Sequence, residues 1–150
     1  MKTRINISKK FNLNKISFNL SREINEAAKA IVKDHDRRLQ FGQGVDGKMM
    51  KKLTPFTIME KRIKGYKKPR VPLFATGTMK NIRIEKTAVA TSQEARLTPP
   101  LSRLEIGAKH QEGNKSINLP QREWFGITTK VEKDLLRNME IKIERNLRRA

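Results

Sequence analysis

The chain has 150 residues and a formal net charge of +19, from 34 Lys and Arg against 15 Asp and Glu, a balance that favours a polyanionic partner such as nucleic acid, acidic membrane or acidic protein. The absence of cysteine excludes disulfides, thiolate zinc sites and cysteine nucleophiles, and makes an intracellular site of synthesis the expectation. Hydrophobic residues make up 36% and aromatics 5%, so one domain's core is expected to be modest and mainly aliphatic.

The N-terminus is basic but has no apolar h-region, so a secretory signal is not expected. No run approaches the roughly 18 apolar residues of a membrane span, which predicts a soluble protein or a part of a soluble assembly. Residues 1–20 hold no acid, and Ile16, Phe18 and Leu20 alternate with Ser17 and Asn19. That period of two predicts an N-terminal arm or edge strand over 1–20, with a basic tail over 1–10 as the alternative. Residues 21–150 read as a single domain.

Ser21 suits the N-cap of a first helix. Ile24, Ala28, Ile31, Val32, His35 and Leu39 share one face, while Arg37 and Arg38 fall on others. The helix should end near Gln40, because Gly42 and Gly44 follow. Residues 42–47 match G-x-G-x-x-G literally, but a dinucleotide site needs a strand before the glycines and a helix starting inside them. Here a helix precedes them, so a turn with Asp46-Gly47 at its tip is predicted.

Thr54-Pro55 starts a short helix, Thr as cap and Pro at the first position, with Phe56, Ile58, Met59 and Ile63 as its apolar residues. Between 48 and 70 lie nine basic residues (Lys48, Lys51, Lys52, Lys61, Arg62, Lys64, Lys67, Lys68 and Arg70) and one acid, Glu60. This set is the predicted DNA-facing basic surface. It would contact phosphates without reading sequence, since Tyr66 is its only aromatic neighbour within 57–73.

Phe74–Ile82 reads as a turn with one helical turn. Ile82, Ile84, Ala88 and Ala90 alternate as a strand, and Leu101–Ile106 reads as a second, with Pro99-Pro100 in the connection. Residues 114–117 are a polar turn, and Arg122–Ile127 a third strand. A last helix begins at Thr129, with Glu132 completing a capping box. Val131, Leu135, Leu136, Met139, Ile143 and Leu147 share its inner face. The fold class is therefore α+β: an antiparallel β-sheet flanked by an N-terminal helix and a long C-terminal helix.

Residues 104–126 hold the single tryptophan and one of two histidines. They read as strand, turn and strand. His35 lies on an apolar helix face and is expected in the core. His110 is expected to be exposed, with no Ser or Asp placed beside it for general-base work. Asp34 and Asp36 point to different faces and make no acid–base pair. No enzyme, cofactor or metal site is expected. Read in isolation, 104–126 is a β-hairpin whose Trp124 and Phe125 pack on the sheet, with Arg122 either a structural ion-pair partner or an interface anchor; His110, Gln111, Glu112, Arg122, Trp124 and Phe125 are the predicted subunit interface.

Three ordered blocks resemble the virion-morphogenesis family of tailed phages, which includes the tail-completion proteins of Mu-like and P2-like phages. The first is Asp46-Gly47, Leu53-Thr54 and Lys61. The second is Pro72 through Ile82, with Thr76-Gly77 and Met79 where leucine is usual. The third is Ile106-Gly107, His110-Gln111 and Gly113, then Leu119-Pro120-Gln121-Arg122 and Gly126-Ile127. The sequence departs from the family pattern at Glu123-Trp124 and at Ala108-Lys109. The resemblance implies a non-enzymatic structural protein at the neck or head-proximal end of a tail, made in the host cytoplasm. It implies a homo-oligomeric ring, expected to be a hexamer, touching tail tube, sheath or head–tail connector proteins and packaged DNA, without membrane. The alternative is a small basic nucleic-acid-binding protein outside any virion.

Overall fold

The computed structural model describes residues 3–4 and 19–148. The strand period at Ile16 and Phe18 lies outside the described residues. Helix α1 (Ser21–Phe41) is the element on which most others rest. Ser21 is its first residue rather than its cap: Asn19 Oδ1 accepts from Ser21 N at 3.0 Å and from Ser21 Oγ at 2.6 Å. The predicted face is the buried one, with Ile24, Ala28, Ile31, His35 and Leu39 inside. The helix ends in a left-handed Gly42, and Gln43 N donates to Arg38 O at 2.9 Å, which satisfies a terminal carbonyl.

Gly44 N donates to Lys48 O across the Asp46-Gly47 tip, so 42–50 is the predicted turn. Helix α2 (Pro55–Ile63) begins as the sequence indicates, Thr54 Oγ1 accepting from Thr57 N at 3.2 Å. A 3-10 turn follows at Thr78–Lys80. Strand β2 is Arg83–Lys86, within the predicted 82–91, and pairs antiparallel with β3 (Arg96–Thr98), with a bulge between Ile84 and Lys86. The other edge of β3 carries β1 (Thr3–Arg4). The order is β1-β3-β2, all antiparallel.

The second predicted strand is corrected. The strand precedes Pro99-Pro100, and 101–106 instead forms a 3-10 turn and the start of helix α3 (Leu104–Glu112). The third predicted strand is also corrected: Arg122–Ile127 returns along α3 as irregular chain. Helix α4 (Thr129–Leu147) packs on α1 through Leu135 and Met139, with Lys142 reaching Glu23 at 3.7 Å. Its cap is Thr128, one residue earlier than the capping box places it, with Oγ1 accepting from Val131 N at 3.4 Å. Thr128→Ala should therefore lower stability by about 1 kcal/mol, read as a shifted urea midpoint with an unchanged slope. The α+β class holds, with α1 against β2 and the long C-terminal helix packed on α1. Among the described residues no helix is long and apolar enough to cross a membrane.

Candidate functional site

Trp124 explains why 104–112 is a helix. Its indole brings the Nε1 edge against Gly107, where a Cβ would overlap Cζ2, and Nε1 donates to Gly107 O at 2.8 Å. Only a residue without a side chain lets the ring approach so closely. Gly113 then ends the helix at φ +73°, with a Cβ there only 2.8 Å from Gln121 N. The returning chain is held by α3 itself. Arg122 N donates to His110 O at 2.7 Å. Gln111 Oε1 accepts from Trp124 N at 3.1 Å and Phe125 N at 3.2 Å, and its Nε2 donates to Phe125 O at 3.2 Å.

Arg38 locks the same segment from α1. It is 1% exposed, not on an outer face as predicted, and its Nε donates to Asp34 Oδ2 at 2.9 Å. Its Nη1 and Nη2 reach Trp124 O and Gly126 O, each at 3.4 Å. Burying a guanidinium is tolerable only with such partners. His35 lies beside it, fully buried as expected, its ring 5.5 Å from Trp124 and 6.1 Å from Phe125. Nε2 meets Met79 O at 3.2 Å; a carbonyl can only accept, so Nε2 carries the proton and Nδ1 is left without a partner. Burial pushes the His35 pKa down to about 4; the bond to Met79 opposes this and the charge of Arg38 adds to it.

The predicted interface set is thus corrected in its main members. Arg122, Trp124 and Phe125 are 6%, 3% and 3% exposed and face inward, so they bind the chain to itself and cannot meet a neighbour. Gln111 spends its amide inside. Glu112 alone of the six is exposed. His110 is half-buried rather than exposed, Nδ1 3.3 Å from Arg122 Nη1. Burial, then the charge of Arg122, lowers its pKa to about 4.

The basic set divides as well. Lys48, Lys51, Lys52, Arg62, Lys64, Lys67 and Arg70 are exposed. Lys61 is buried and donates to Val71 O at 2.7 Å, so it cannot serve a DNA-facing surface. Lys68 is half-buried, donating to Gln40 O at 3.1 Å with its ammonium 5.0 Å from the Phe74 ring centre. Both are corrections with one cause: each long side chain folds back onto a backbone carbonyl, Val71 O in a loop for Lys61 and Gln40 O in the last turn of α1 for Lys68.

A cavity of about 290 Å³ lies between α2, the 73–79 loop and α3. Leu53 and Lys61 line it from the first ordered block, Leu73 through Met79 from the second, and Ile106, His110 and Arg122 from the third. Thr57, Tyr66 and Arg103 complete the wall, and of these Arg103 was not singled out by sequence reasoning. The signal for Arg103 was present: 103, 106 and 110 are spaced for one helix face, which a strand reading of 101–106 obscures. No family model, curated protein or solved structure matches the chain.

Proposed function

We propose that this protein is a non-enzymatic structural subunit of a tailed phage, one that completes the tail or joins it to the head as part of a ring. The observation that carries the reading is spatial. Three short blocks that resemble the virion-morphogenesis family, spread from residue 46 to residue 127, meet around one cavity and one locked segment. The resemblance itself rests on these residues alone.

In this reading the 104–126 segment makes the subunit rigid and other surfaces make the contacts. The outer face of α2 is the strongest: Phe56, Met59 and Ile63 are 65%, 51% and 78% exposed and follow one another at three and four residues. Large apolar side chains gathered on one exposed helix face suit a partner better than water. The exposed cations from Lys48 to Arg70 border that helix and would lie toward passing DNA, consistent with charge that holds phosphates without reading bases.

Sedimentation and electron microscopy of the purified protein test this. A discrete large oligomer, or one formed on adding tail components, is expected. A stable monomer that binds free DNA tightly, loses it steeply with salt and is missing from purified virions would overturn the proposal. Met59→Asp with Ile63→Asp should abolish the oligomer while shifting monomer stability by no more than about 0.5 kcal/mol, as for ordinary surface changes. An intact oligomer in that variant would exclude this face of α2.

A further inference from the structure

The cavity beside α3 has a chemistry that the ring reading does not use. Four nitrogen-bearing side chains line it, Lys61 from α2, Arg103 from the turn before α3, His110 from α3 and Arg122 from the returning chain, and no aspartate or glutamate does. Lys61 and Arg122 are both more than nine-tenths buried. Neither they nor Arg103 forms an ion pair among the described residues. Two buried cations without a counter-ion are costly, because each has lost water and gained only neutral acceptors.

Their hydrogen bonds leave most donors unspent. Lys61 gives one N–H to Val71 O, and an ammonium has three. Arg122 gives one to Lys51 O at 3.3 Å and one to His110 Nδ1, and a guanidinium has five. The guanidinium can only donate, so His110 Nδ1 must accept and its proton sits on Nε2. All four groups therefore offer N–H donors and none offers an acceptor. The mutual proximity is felt: burial first, then Arg122, depresses Lys61, and burial depresses Arg122. The remaining walls are largely apolar, with Leu53, Tyr66, Phe74 and Ile106 among them.

We propose that this cavity is a binding site for a small oxyanion, a phosphate or a carboxylate, held by Lys61, Arg103, Arg122 and His110 Nε2–H. An oxyanion supplies what the site lacks: negative charge next to buried cations and several acceptor lone pairs in one place. The volume is at the lower end for ligand pockets, which limits the occupant to a small anion or an anionic group on a compact apolar body. The inference stands on the cavity's residues and does not need the ring reading.

Imidazole NMR of the full chain tests it, using inorganic phosphate and benzoate in separate titrations and sodium chloride at matched ionic strength as reference. His110 should shift saturably with at least one anion, and its pKa should climb from about 4 toward the ordinary histidine value, because the bound anion offsets Arg122. His35 does not line the cavity and should keep its own titration. Saturation by phosphate alone identifies a phosphate-class ligand; tighter saturation by benzoate identifies a carboxylate on an apolar body. Lys61→Met and Arg103→Gln should each weaken binding at least tenfold. Arg103→Gln is the control for folding, since the Arg103 side chain makes no hydrogen bond among the described residues. Shifts no larger than those of sodium chloride, or undiminished binding in Arg103→Gln, would overturn the proposal.

Discussion

Trp124→Ala is expected to destabilise the protein by about 3–5 kcal/mol, the range for emptying a large aromatic site in a core, a large share of the roughly 5–15 kcal/mol that holds a domain together. The indole fills the space against Gly107, donates to Gly107 O, and packs on Phe125 with ring centres 5.6 Å apart. Removing it takes the indole donor from that carbonyl and leaves a void. No neighbour can fill that void cheaply, because α3 approaches through a glycine. Urea unfolding followed by circular dichroism is the measurement, since the substitution removes the only tryptophan. The result also separates two roles for 104–126. As a subunit interface, the segment would yield a stable monomer that fails to assemble. As an internal lock, it yields a protein that fails before assembly begins. A folded Trp124→Ala monomer with near-normal stability would contradict the lock.

Acid is expected to have the second large effect, in a window set by histidine. His35 has its pKa lowered to about 4 in the folded state, while an unfolded histidine titrates near 6.5. Between those values the unfolded chain binds a proton that the folded chain refuses, so stability rises with pH across the window and is complete above it. The shift corresponds to roughly 3 kcal/mol lost on going from neutral pH to about 4. His110 acts in the same direction and the same window, but it is part-exposed, so solvent screening reduces its share. Asp34 acts lower. Burial alone would raise its pKa, and hydrogen bonds from Arg37 and Arg38 outweigh that and lower it. Its contribution is present above the ordinary aspartate pKa and is lost as pH falls through the depressed one. Denaturant unfolding across pH 7 to 4 should show the histidine slope, and His35→Leu should flatten it whatever its effect at pH 7. A slope unchanged in that variant would assign the acid sensitivity elsewhere.

The parts of this protein that were legible in the sequence are those whose evidence is local and repeated. Helices α1 and α4 run for 21 and 19 residues, long enough for an apolar stripe to recur over several turns. The Thr54-Pro55 start, the Asp46-Gly47 tip and the buried His35 follow from neighbouring residues in the same way. The segment 101–112 offered two competing periods. Leu104 and Ile106 alternate like a strand, while Arg103, Ile106 and His110 recur like a helix, and Gly107 weakens either choice. Tertiary contacts go with the helix: the Trp124 ring sits against Gly107 within α3, and Gln111, one turn on, reaches the returning chain's N–H groups.

The same division holds for the site. The sequence by itself determined the excess of positive charge, the lack of thiol chemistry and the outer elements of an α+β fold, because composition and period need no partner to be read. Only the tertiary structure decided which cations are surface and which are interior. Arg38, Lys61 and Arg122 look like their exposed neighbours as letters. Their burial goes with hydrogen bonds to backbone carbonyls at Trp124, Val71 and Lys51 that lie between 10 and 86 residues away in the chain. Burial of a charge depends on where distant polar groups come to rest, and that information is not carried by the residues on either side.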